Sequence, residues 1–277
     1  MGGNASKPTD PTRTLKVIGA GYSRTGTLSM ALALETLLDG PVMHGGSQLL
    51  GREDAYVHLW VQIFQANKAH DRPRLLKLLK KATEGFVGIT DAPGNLFIEE
   101  LLELYPDAEV VCVRRDRERW WKSWASVTEA AGAGFLHYFL MPVPGKRWYP
   151  MLVTQFLEQQ EEKHGPMSDK RMDEHNEYVK EVTPPSNFHM MELSEGWAPL
   201  CKVLGKPIPD EPFPRANDAE AVQGLELQIF KEAGSRWLGI FAVAGAFGYG
   251  TVWLWKNGFA DLALTRIQEL VLDYTPR

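Results

Sequence analysis

The feature that most constrains this chain is a short apolar run that ends in glycine and passes at once into a helix. Lys16-Val-Ile-Gly-Ala20 is followed by a glycine-containing turn and then by residues 28–38, LSMALALETLL, which have helix-forming composition with apolar side chains around most of the surface. This reads as a buried strand, a tight loop and a core helix. Further short apolar runs occur at Pro41 to His44, Phe86 to Ile89, Glu109 to Val113 and Phe188 to Glu192. Helical patterns separate them, such as Phe97, Leu101, Leu104 and Tyr105 on one face of a segment that stops before Pro106. Strands alternating with helices predict a three-layer α/β domain with a mainly parallel sheet, whose ligands sit at the carboxyl ends of the strands.

The first strand leads into Gly19-Ala-Gly-Tyr-Ser-Arg-Thr-Gly-Thr-Leu-Ser29. Glycines let the backbone approach a ligand, the helix N-terminus aims N–H groups outward, and Arg24, Thr25, Thr27 and Ser29 add donors. The candidate contacts are Ser23, Arg24, Thr25, Gly26, Thr27, Leu28 and Ser29, and the ligand they suit is a phosphate. The ATP-binding pattern G-x-x-x-x-G-K-[ST] fails because Thr27 follows Gly26 where lysine is required. The dinucleotide pattern G-x-G-x-x-G fails at Arg24, although Asp39 stands at a suitable distance for a ribose and keeps a Rossmann-type NAD(P) oxidoreductase as an alternative. A glycine turn with no ligand would explain the glycines but not the donors around them.

A second strand exit, Val113-Arg-Arg-Asp-Arg-Glu-Arg-Trp-Trp-Lys-Ser-Trp124, also opens a helix. Asp116 is placed to cap it, and Trp120, Trp124 and Val127 repeat as its packed face. Arg117 and Arg119 read as solvated. Arg115 at the strand exit and Ser123 two turns into the helix can share one phosphate if it lies along the helix side.

With these motifs quoted, the chain resembles the sulfotransferases that use 3′-phosphoadenosine-5′-phosphosulfate (PAPS), a P-loop-like fold. Arg24-Thr25-Gly26-Thr27 is similar to their 5′-phosphosulfate loop, and Arg115 with Ser123 to their 3′-phosphate motif. Asp91-Ala-Pro, Glu100-Leu-Leu-Glu-Leu-Tyr-Pro-Asp-Ala, Val113-Arg-Arg-Asp and Glu195-Gly-Trp-Ala-Pro-Leu-Cys-Lys-Val-Leu-Gly-Lys-Pro-Ile-Pro resemble landmarks of a divergent branch, so the likeness runs from about Lys16 to Asn217. It implies sulfuryl transfer from PAPS to a hydroxyl or amine acceptor, with adenosine 3′,5′-bisphosphate as product and no metal. It departs from the family where Arg24 replaces the usual lysine, since a guanidinium binds phosphate but is a poorer proton donor than an ammonium. It also departs at Asp91, which aligns with the catalytic histidine. Asp91 can act as the base or cap the helix starting near Asn95. His44, at the end of the second run, is the other candidate base, with Arg24 stabilising the departing oxygen; His137 is a weaker candidate. These substitutions keep open a catalytically silent, membrane-tethered nucleotide-binding module.

The remaining organisation is coarser. A formal net charge of -5 gives no basic face for nucleic acid. Cys112 and Cys201 lack the spacing of a disulfide framework or zinc site, which fits a reducing compartment. Residues 1–15 read as a flexible N-terminus without a secretory h-region, and Gly2 with Ser6 fits the N-myristoylation pattern. Residues 16–235 form the sulfotransferase-like domain. Gly132 to Pro150, rich in Gly, Pro and aromatic residues, reads as a loop or lid, and its aromatic character points to a small-molecule or lipid-like acceptor. Residues 236–256 include the uncharged run from Trp237 to Trp255, flanked by Arg236 and Lys256, and form a hydrophobic C-terminal helix. At about 28 Å it matches the bilayer core, although a buried core helix or a hairpin is the alternative. With residues 257–277 as a tail, the expectation is a single-pass C-terminal anchor holding a cytoplasmic domain at a membrane; a homodimer is compatible with the sequence.

Overall fold

The computed structural model describes residues 6–131, 134–216, 218–258 and 265–267. Five strands alternate with helices: β1 (Val17–Gly19), β2 (Val42–His44), β3 (Gly88–Thr90), β4 (Glu109–Arg114) and β5 (Phe188–Glu192). Each falls within two residues of an apolar run in the sequence. They form one sheet in the order β2-β3-β1-β4-β5, with every pairing parallel. The α/β architecture with a parallel sheet is therefore as the sequence predicts.

Alternation along the strands explains why both faces are covered. Val17, Val42, Val111 and Val113 point to one side, where they pack on α1 (Thr27–Leu38) through Met30, Leu34 and Leu37 and on α10 (Trp197–Leu204) through Trp197 and Leu200. Ile18, Met43, Ile89, Val110 and Cys112 point to the other side. There they meet α3 (Asp54–Lys68), α4 (Arg72–Ala82), α5 (Ile98–Leu104), α6 (Arg117–Ala131), α8 (Tyr149–His164) and α9 (Arg171–Val182). Trp60, Phe64, Phe97 and Trp120 are among the largest fully buried side chains on that side, each worth about 2–3 kcal/mol of transfer free energy. Both cysteines are free and buried; burial pushes the Cys112 thiol up to about 12, so it stays protonated and inert at neutral pH.

The strand order has a consequence for the site. Because β1 lies between β3 and β4, its carboxyl end is flanked by Thr90-Asp91 on one side and Arg114-Arg115 on the other. The first crossover skips β3, so β2 ends near the same edge with His44. A parallel sheet that reverses direction here opens its crevice at these strand ends.

Of the stretch read as a lid, Gly134 onward is described: a four-residue helix, α7 (Leu136–Phe139), then turns. The turns are stitched to the rest of the domain, since Arg147 pairs with Asp54 at 3.0 Å and Lys146 donates to the Leu50 carbonyl. Phe135, Tyr138 and Met141 are exposed.

The chain divides into two compact units, Met1–Leu225 and Glu226–Arg277. Helix α11 (Asp218–Lys256) carries the apolar run, and its stretch Leu227–Lys256 is long and apolar enough to cross a membrane. The helix is unbroken, so the run is not a hairpin, and none of its most apolar window is buried.

Candidate functional site

The loop between β1 and α1 is shaped by what happens to its carbonyls. Ala20 O accepts from His175 Nε2 at 2.8 Å, Ser23 O from the Trp120 indole N–H at 2.9 Å, and Arg24 O from the Arg115 guanidinium. Tyr22 O accepts from both the amide and the hydroxyl of Thr25, at 3.1 and 2.7 Å. In a trans peptide the C=O and the following N–H point in opposite directions, so a carbonyl held by the body of the protein aims the next amide the other way. The loop thereby forms a nest-like turn, its carbonyls tied back ahead of the α1 N-terminus, a geometry that suits an anion. Positive φ at Arg24 (72°) and Gly26 (93°) supplies the necessary reversal. At Gly26 the φ of 93° strains any other residue, and an added Cβ would also displace the Leu193 side chain that follows β5.

Among the sequence-predicted donors, Thr25 already donates to Tyr22, and Ser29 Oγ accepts from the Ala216 amide at 3.0 Å. Ser23, Thr25, Thr27, Leu28 and Ser29 are buried, with Leu28 and Ser29 in the first turn of α1. The other strand exit converges on the same loop. Asp116 caps α6 by accepting from the Arg119 amide at 2.9 Å, and Trp120 and Trp124 are buried beneath; the Val127 side chain lies outside the described residues. Arg24 Nε donates to Ser123 Oγ at 3.2 Å. The two motifs that the sequence kept separate thus share a hydrogen bond, with Arg115 joining them from just after β4.

On the opposite flank stand His44 and Asp91. The His44 ring caps α2 (Gly45–Gly51): its Nδ1 accepts from the Ser47 amide at 3.2 Å. A neutral ring that accepts at Nδ1 carries its proton on Nε2. That Nε2 lies 3.2 Å from Thr27 Oγ1 and 3.5 Å from Asp91 Oδ2. Asp91 has a left-handed backbone (φ 70°), and its Oδ1 is buried and makes no hydrogen bond among the described residues. Its carboxylate caps no helix, because the turn at Gly94–Leu96 is capped from Pro93 and α5 from Phe97, neither through a side chain. The capping role considered for Asp91 is therefore corrected: positive φ turns the side chain towards His44.

Two other sequence candidates lie elsewhere. Asp39 ends α1 in a left-handed conformation, and its carbonyl is bonded by Arg13. It sits a whole helix, about 18 Å, from the loop, which removes it as a ribose ligand and with it the main support for an NAD(P) site. His137 sits in α7 with its ring against Tyr138, 5.4 Å between centroids. Conversely, sequence reasoning read Trp120 only as packing and did not single out Ser47 or His175.

The arrangement defines a class: a parallel α/β domain with a nest-like loop at β1–α1 and a basic strand exit beside it. A sulfotransferase domain model matches residues 16–222, and the chain belongs to the sulfotransferase family. It is also 26% identical over 222 residues to Ava biosynthesis cluster protein M of Aspergillus versicolor, which covers 72% of this chain and 80% of that protein.

Proposed function

We propose that this protein transfers a sulfuryl group from PAPS to a hydroxyl or amine on a small or lipid-like acceptor. The observation that carries the reading is the joining of the two phosphate-type motifs through Arg24, Ser123 and Arg115, at a nest whose carbonyls are tied behind it. Arg24, Thr25, Gly26 and Thr27 would hold the 5′-phosphosulfate, and Arg115 and Ser123 the 3′-phosphate. When bound, PAPS supplies an activated sulfuryl group whose leaving group is a bisphosphate. Arg24 and the loop amides meet the charge that develops there, as preorganised donors do without reorganising.

Asp91 is the better base of the two candidates. His44 points a proton-bearing Nε2 at Asp91 and Thr27 and uses Nδ1 to hold α2, so it orients the carboxylate rather than accepting a proton itself. The Asp91 side chain is partly exposed, and an acceptor hydroxyl would reach its carboxylate from that side. Asp91→Asn is expected to slow release of adenosine 3′,5′-bisphosphate from PAPS, in the presence of a mixed hydroxyl and amine panel, by about 10²–10⁴-fold. Affinity for the bisphosphate should stay within about threefold, because the substitution leaves the nest intact. An unchanged turnover would remove Asp91 from the chemistry. If no acceptor in the panel supports turnover by the unaltered chain while the bisphosphate binds, the silent nucleotide-binding module is the better reading.

We further propose that the exposed apolar stretch of α11 anchors the domain at a membrane, with the domain on the cytoplasmic side; its length and exposure support the anchor.

A further inference from the structure

His175 lies in α9, far from every motif that marks the site in sequence, and it is completely buried. Its Nε2 can only donate to the Ala20 carbonyl, at 2.8 Å, across 155 residues of sequence. Its ring packs on Tyr22 of the same loop, with centroids 5.1 Å apart. Burial holds the imidazole down, to about 4, and the neighbouring His164, Lys163 and Arg171 reinforce this. At neutral pH the ring is therefore uncharged, with its single proton on the nitrogen that faces the loop. Tyr22, buried, and Tyr178, half-buried, are the other titratable groups whose rings pack on it; desolvation pushes both phenols up and they stay neutral.

We propose that His175 is a positioning residue for the β1–α1 nest: by holding the Ala20 carbonyl behind the loop, it aims the Gly21 amide at the 5′-anion of the nucleotide. The inference rests on the nucleotide reading above. Trp120 does the same one turn later, since its grip on Ser23 O sets the direction of the Arg24 amide. The helices bearing these two side chains are themselves joined, because Arg117 of α6 pairs with Asp173 of α9 at 2.6 Å. Both anchors therefore belong to one wall, and the loop is set from behind as well as by its own glycines.

A histidine that merely fills space would affect all ligands alike. The anchor predicts selectivity by position of charge, and two substitutions differ in reach. In His175→Gln the amide nitrogen can occupy the place of Nε2 and donate to Ala20 O; in His175→Asn it falls short, near the place of Nδ1. Calorimetry on the full chain, with each variant, compares adenosine 3′,5′-bisphosphate, AMP and adenosine 3′-monophosphate. His175→Asn should weaken the two 5′-phosphorylated ligands by about tenfold, the scale of one hydrogen bond to a charged group, and leave the 3′-monophosphate within about twofold. His175→Gln should recover most of the loss. Equal losses for all three ligands, no loss, or a Gln variant no better than Asn would overturn the proposal. Amide exchange of residues 19–26 is followed in parallel, and faster exchange in Asn than in Gln is expected. If the unaltered chain binds none of the nucleotides, the nucleotide reading fails; the anchor then stands on faster exchange in Asn and falls on equal exchange. Should Asn not fold, His175→Phe replaces it as the variant without a donor.

Discussion

Arg115→Ala should lower the affinity for adenosine 3′,5′-bisphosphate by about a hundredfold, while AMP loses about threefold. A guanidinium on a phosphate makes charge-assisted, often bidentate bonds, worth up to about 3 kcal/mol when removed. That accounts for the larger loss, because the bisphosphate alone carries a 3′-phosphate. The smaller loss follows from the structure: Arg115 also donates to Arg24 O, so removing it frees part of the 5′ nest as well. Arg115→Lys should fall between, since an ammonium keeps the charge but not the planar fork. Isothermal titration with both ligands reads the difference, and equal losses would contradict the 3′-phosphate assignment.

Gly45→Ala should destabilise the domain by at least about 3 kcal/mol or prevent folding, at or beyond the upper end of the usual cost of overfilling a packed position. Gly45 follows His44 and opens α2, and an added Cβ would overlap the carbonyl of Ala92 outright. The obstacle is backbone, so no side-chain rotation relieves it. The segments in contact carry His44 and Asp91, which means that the glycine sets the distance between them. Gly46→Ala is the control: its Cβ would meet His44 Cε1 at 3.2 Å and Asp91 Oδ2 at 3.7 Å, both side-chain atoms. It should fold with near-native stability in urea unfolding. A Gly45→Ala variant within about 1 kcal/mol of the parent would show that these two segments do not pack this closely.

The strands and the β1–α1 loop were legible because both signals are local. Short apolar runs such as Glu109 to Val113 need no partner to be recognised, and Gly19, Gly21 and Gly26 mark where the backbone must turn or approach closely. What could not be read is whatever depends on strand order. His44, Thr27 and Asp91 meet only because β3 inserts between β1 and β2, and no pattern in their own segments announces that. The ambiguity at Asp91 had the same origin: the residue type suits a cap or a base, and only its positive φ and the neighbouring imidazole distinguish the two. Asp39 shows the opposite error, in which spacing along the chain suggested a ribose contact but the helix carries the residue to the far end of the layer. His175 was invisible for a simpler reason. Its partner is a backbone carbonyl, which leaves no mark in a sequence.

The central claim is that the nest and the basic strand exit together recognise a nucleotide phosphorylated at both the 3′ and 5′ positions. Its most direct test is calorimetric titration of the full chain, kept in mild detergent, with adenosine 3′,5′-bisphosphate and separately with ATP and NADH. The account predicts saturable binding of the bisphosphate at least about tenfold tighter than either competitor, the margin expected from one additional charged phosphate contact. A folded sample that binds ATP or NADH as tightly, or that leaves the bisphosphate unbound, would contradict it.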